Sequence, residues 1–179
     1  MHHRLGLVAA LLLTGAFAIP AAAQVCNEAG AAGTCTVTAT TSVTFPVILR
    51  MTIGSATTAF GTITATNYNN GFASLSGPTV TVKANQGWRV QISSAATFWT
   101  AVTTDPGNPA RATKPLADLQ WATSLAGAYT PVAAAGATIG SGSGTGGTVS
   151  PLFFKSLWSY AVDTPGNYSI GVTFTLLSP

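Results

Sequence analysis

From Tyr168 to Leu176 every second residue is large and apolar: Tyr168, Ile170, Val172, Phe174 and Leu176. Serine, glycine and threonine fill the positions between. A period of two places one row of side chains on each face of a β-strand and matches no helix. The same period recurs at Thr79–Ala84, with Val80 and Val82 on one face, and at Trp88–Ser93. In the latter, Trp88, Val90 and Ile92 point inward and Arg89 and Gln91 outward. With Asn85-Gln86-Gly87 between them, these two runs predict a β-hairpin.

Other stretches read the same way. Thr36–Phe45 is rich in β-branched residues and predicts a strand with one hydroxyl-bearing face. Val47–Ile53 and Phe60–Ala65 predict two further strands, and Leu116–Trp121 another short one. Asn67–Gly71, Ser76–Pro78 and Asp163–Gly166 carry turn residues. Gly140–Gly147 alternates glycine with serine and threonine, and predicts a flexible surface loop. Only 32 residues follow it, too few for a second core. Apart from the first residues, no stretch has the 3.6 period of an amphipathic helix. Many short strands at this spacing predict an all-β domain, an immunoglobulin-like or Greek-key β-sandwich.

The exception at the start of the chain is an export signal. His2, His3 and Arg4 precede an apolar run from Leu5 to Ile19, then Pro20 and Ala21-Ala22-Ala23. That order matches a secretory signal peptide, residues 1–23, cleaved after Ala23. The run falls short of the roughly 20 residues that span a bilayer. Residues 24–179 are then expected to form one exported domain with no membrane span, secreted, at the cell surface or in the periplasm.

Cleavage changes the chemistry that is left. Both histidines lie in the signal, so Ser-His-Asp, Cys-His and histidine-based metal sites are excluded from the mature chain. Its acids are Glu28, Asp105, Asp118 and Asp163, spread along the chain. Asp105 and Asp163 precede Pro-Gly elements and read as turn residues. A calcium site would need Asp105, Asp118 and Asp163 to converge, and no Asp-rich ligand run supports it. The expectation is no enzyme and no cofactor. Only 6% of the chain is charged, against about 25% in an ordinary domain. The basic residues are scattered, which excludes a nucleic-acid footprint.

Cys26 and Cys35 are the only cysteines. In an oxidising compartment they predict a short structural disulfide. A lipoprotein reading of Cys26 fails because Val25, not a small residue, precedes it. Among the aromatics, Trp88 belongs to an inward face. Trp99 and Trp121 flank the long loop opened by Asp105-Pro-Gly-Asn-Pro109 and are candidates for a ligand or partner face.

Two stretches carry a resemblance. Asn85-Gln-Gly-Trp88-Arg-Val90-Gln-Ile-Ser93 resembles the Gly-Trp-x-Leu/Val motif of WxL-type bacterial surface domains. Tyr168–Pro179 resembles that family's C-terminal strand, with Phe174 where the family has its second tryptophan. The resemblance implies a secreted β-sandwich held non-covalently to cell-wall polymer or to a surface protein partner. The exported, Thr-rich chain with its early cysteine pair is also similar to fimbrial and coat-like subunits. That similarity implies a filament or coat subunit that binds copies of itself by β-strand addition.

Overall fold

A computed structural model describes residues 34–179. The signal segment, Glu28 and Cys26 lie outside the described residues. Cys35 lies within them and is not a free thiol. The chain divides into two units, residues 1–44 and 45–179.

In the first unit, residues 34–44 form no helix or strand, and their side chains are exposed. The strand predicted over Thr36–Phe45 is therefore absent. β-branched residues favour extended backbone, but a strand also needs a partner for its amide and carbonyl groups.

The second unit is all-β, with antiparallel sheets and little helix. Its strands are β1 (Leu49–Ile53), β2 (Phe72–Ser76), β3 (Val80–Ala84), β4 (Trp88–Ser93), β5 (Thr100–Val102), β6 (Leu119–Ala122), β7 (Thr130–Pro131), β8 (Ala137–Gly142), β9 (Thr145–Ser150), β10 (Phe153–Leu157), β11 (Asn167–Ser169) and β12 (Thr173–Leu177). They pair in the orders β1-β3-β9, β12-β4-β8, β2-β10-β6-β7 and β11-β5. These antiparallel sheets fit a β-sandwich.

The predicted hairpin is corrected. β3 and β4 are strands with the expected faces: Val80, Val82, Ala84, Trp88, Val90 and Ile92 are all buried. They do not pair with each other. β3 pairs with β9 from Val80↔Ser150 to Ala84↔Thr145, and β4 pairs with β8 from Trp88↔Gly142 to Ile92↔Ala137. The register is nearly continuous across Asn85–Gly87 on one arm and Ser143–Gly144 on the other. The four strands thus form one long antiparallel ribbon that bends from one sheet into the next. Asn85 holds the bend: its Nδ2 donates to Pro46 O at 2.7 Å and its Oδ1 accepts from Ile48 N at 2.8 Å.

The Gly/Ser tract is corrected by the same ribbon. Residues 140–147, expected as a loop, lie in β8 and β9 except for the bend at Ser143–Gly144. Glycine is needed at position 142 because the Trp88 ring lies against the opposite strand. A Cβ there would sit 3.1 Å from the indole.

Phe60–Ala65 is not a strand. Thr64 begins a short helix instead, α1 (Ala65–Asn70). Thr64 Oγ1 accepts from Asn67 N, Asn67 Oδ1 accepts from Thr64 N at 2.9 Å, and Gly71 closes the helix at φ 76°. A reciprocal cap of this kind offsets the weak helix preference of asparagine and threonine. Leu116–Asp118 forms a 3-10 turn before β6. The C-terminal run keeps its alternation, with Tyr168, Ile170, Val172, Phe174 and Leu176 each half-buried. It breaks at residues 170–172, so β11 joins β5 and β12 joins β4. No helix among the described residues is long and apolar enough to cross a membrane.

Candidate functional site

The broken C-terminal run borders an open cleft of about 1140 Å³ within the second unit. One wall is the run itself: Tyr168, Ile170, Val172 and Phe174. The opposite wall is the irregular segment after β1, from Ser55 to Ile63, including Phe60. The floor is core: Trp99, Leu119, Phe154 and Trp158 are all buried. The wall residues continue the alternation of the C-terminal run, and each is half-buried.

Aromatic rings line one end. Trp158 meets Trp99 at 6.3 Å, Tyr168 edge-on at 5.7 Å and Tyr68 at 6.4 Å between ring centroids. Tyr160 stacks on Tyr68 at 4.6 Å. The Trp158 Nε1–H is buried and finds no acceptor among the described residues. Such a donor is costly to leave unpaired.

Behind the rings lies a charged cluster. Lys114 is fully buried. Its Nζ donates to Asp118 Oδ2 at 3.0 Å, Asp163 Oδ1 at 3.2 Å and Leu157 O at 2.6 Å. The ammonium also lies 4.1 Å from the Trp158 ring centroid, a cation–π distance. Arg111 donates to Asp163 Oδ1 at 3.1 Å, and Ser159 N donates to Asp163 Oδ2 at 2.9 Å. Two cations and two carboxylates balance, which lets the group be buried at all.

Hydroxyls join this cluster to the cleft. Tyr168 Oη donates to Thr164 O at 2.7 Å and accepts from Arg111 N at 2.9 Å. Tyr68 Oη donates to Asp163 O at 3.3 Å. Burial raises the Tyr68 phenol above its usual value. The Asp163 charge, and the neighbouring Tyr168 and Tyr160 phenols, raise it further.

The predicted site residues fare differently. Trp99 and Trp121 do not form an exposed pair. Trp99 is 6% exposed, because its Nε1–H needs an acceptor and finds Pro115 O at 3.1 Å. It serves the cleft as floor. Trp121 is half-buried on β6 against the core and does not line the cleft. Asp105 is the turn residue expected: it accepts from Gly107 N at 2.9 Å and Asn108 Nδ2 at 2.7 Å. These two bonds hold its carboxyl below the usual range. Asp163 is not simply a turn residue, since its side chain is 2% exposed and ion-paired. The three aspartates do not converge: Asp105 stays in its own turn, and the Lys114 ammonium sits between the other two. No group of three metal-ligating side chains occurs among the described residues.

Reasoning from sequence missed Lys114 and Arg111 as members of one site. The only local signal was the i, i+4 spacing of Lys114 and Asp118. Compared with known proteins, the chain matches no family model and no curated protein sequence.

Proposed function

We propose that the protein is an exported, non-enzymatic structural subunit that assembles by β-strand addition. The Thr36–Phe45 segment of one copy fills the cleft of the next. The observation that carries this reading is the pairing of an unfilled need with an unused supply. The cleft wall presents a half-buried apolar row, Tyr168, Ile170, Val172 and Phe174. The Thr-rich segment has apolar residues at alternate positions, Val37, Ala39, Val43 and Phe45, all exposed and outside any strand. An incoming strand would bury both and bring carbonyl acceptors to a region where the Trp158 Nε1–H has none among the described residues.

The immunoglobulin-like Greek-key topology, signal cleavage after Ala23 and the Cys26–Cys35 disulfide belong to the same proposal. The disulfide would tie down the chain just before the donated segment. The non-enzymatic reading rests on a mature chain without histidine and on two carboxylates already neutralised by Lys114 and Arg111.

A second reading is a module that docks on cell-wall polymer or a surface protein, in line with the WxL-type resemblance. The aromatic end of the cleft favours it, since Tyr68, Trp158 and Tyr168 offer ring surface to a sugar.

Purified mature protein separates the two. Strand addition predicts polymers by size exclusion and electron microscopy. Deletion of Gln24–Phe45 abolishes them, and a peptide covering Thr36–Ile48 then binds the deleted protein one to one. Val172→Lys in the cleft wall blocks the peptide, whereas Thr173→Lys on the outer face does not. A protein that stays monomeric at every concentration and is pulled down by isolated cell wall overturns strand addition in favour of docking.

A further inference from the structure

The buried cluster holds the reactants of an amide bond. Lys114 Nζ touches Asp163 Oδ1 at 3.2 Å, with the lysine fully buried and the aspartate side chain 2% exposed. Ordinarily an amine and a carboxylic acid in water do not condense, because both ionise and water drives hydrolysis. Here water is excluded by Trp99, Trp158 and the chain around Leu157. Holding the groups in contact replaces a bimolecular encounter with a local one.

The neighbours are those the reaction requires. Asp118 Oδ2 lies 3.0 Å from the same Nζ, placed to take and return protons. Arg111 donates to Asp163 Oδ1 at 3.1 Å and Ser159 N donates to Oδ2 at 2.9 Å. Negative charge developing on a carboxyl oxygen therefore meets a donor already in place.

We propose that Lys114 and Asp163 form an intramolecular amide cross-link. One ammonium proton passes to the Asp163 carboxylate, leaving a neutral amine and a neutral acid. The proton goes to Oδ1, the oxygen in contact with Nζ. The Nζ lone pair attacks Cγ, and the C=O π pair moves onto Oδ2, held by Ser159 N–H. Asp118 takes a second proton from Nζ and delivers it to the protonated oxygen. That oxygen leaves as water while the carbonyl re-forms. Nothing is oxidised or reduced, and the net change is loss of one water. Two buried charges disappear together, and Arg111 and Asp118 remain as a balanced pair 3.9 Å apart. The bond joins the loop before β6 to the turn after β10, and so fixes the aromatic end of the cleft. It does not depend on what enters the cleft.

Intact mass of the reduced, denatured wild-type protein tests this directly. The expected result is a mass lower than the sequence by one water. Proteolysis should yield a branched peptide whose fragments join Lys114 to Asp163. Lys114→Met and Asp163→Ala are expected at full mass. Asp118→Asn keeps both reactants, and the linked fraction should fall at least tenfold. Full mass for folded wild-type protein overturns the proposal and leaves an ionic cluster only. A lost water mapped to any other pair, such as Lys114 with Asp118 or a cyclised aspartate, overturns it equally.

Discussion

Lys114 and Trp158 face each other with the ammonium 4.1 Å from the indole centroid. The lysine's three N–H groups are each taken by an oxygen: Asp118, Asp163 and the Leu157 carbonyl. A fully buried lysine is rare in protein interiors. This one is possible because acceptors, counter-charge and a ring face meet at one point. It anchors the loop bearing residues 111–118 to the end of β10, and thereby sets the orientation of Trp158 at the cleft.

Removing one partner from such a cluster leaves the others unbalanced. Lys114→Met is expected to lower stability by about 3–5 kcal/mol. Urea unfolding followed by tryptophan fluorescence measures it. Adding Asp163→Asn to that variant should recover part of the loss, because the unpaired carboxylate is then removed as well.

Gly142 tests the ribbon. Gly142→Ala puts a methyl 3.1 Å from the Trp88 ring and should cost about 1–3 kcal/mol through overpacking. Gly147→Ala, four residues on in chain order from Ser143 and with its nearest contact at 3.9 Å, should change stability by under about 0.5 kcal/mol. Thermal unfolding of the two variants side by side distinguishes a paired strand from a free loop, where both would be neutral.

Tyr68 supplies a pH signature. Its phenol is raised by burial first and by the Asp163 charge next. A raised folded value means the unfolded chain loses its proton first. The contribution is fully present below the unfolded value of about 10 and is lost as pH climbs through the folded value. Ultraviolet titration should show one tyrosine ionising late. Tyr68→Phe should flatten the alkaline loss of stability and remove the late-ionising phenol.

Asn85 ties residues 46–48 to the corner of the ribbon. Its side chain bonds Pro46 O and Ile48 N, and its backbone N–H bonds Ile48 O at 3.2 Å. Asn85→Ala should cost about 1 kcal/mol for the lost side-chain bonds. Hydrogen exchange at Ile48 should quicken while exchange in β10 stays unchanged.

What the residues disclosed in advance follows from how local each property is. Alternation is local, so the inward faces of β3, β4 and the C-terminal run were readable residue by residue. Pairing is not local: Val80 meets Ser150, and nothing near Asn85 says that the turn is a bend between sheets. The same limit hid the role of the Gly/Ser tract, since the reason for Gly142 is a tryptophan 54 positions earlier. Phe60–Ala65 misled because β-branched residues were weighed without the Thr64–Asn67 cap. Asp118 was visible beside Lys114, but Asp163 joins them only through the fold.

The bent ribbon also governs how this chain tolerates changes of length. Its two arms keep almost constant register through the corner, and a shift of one residue turns a strand's faces over. One residue inserted between Ala84 and Trp88 would therefore aim Trp88, Val90 and Ile92 at solvent unless residues 143–144 lengthened to match. The stretch from Thr103 to Thr113, outside the ribbon, carries no such constraint. Insertions that persist in related chains should accumulate there, while the two sides of the corner change length only together.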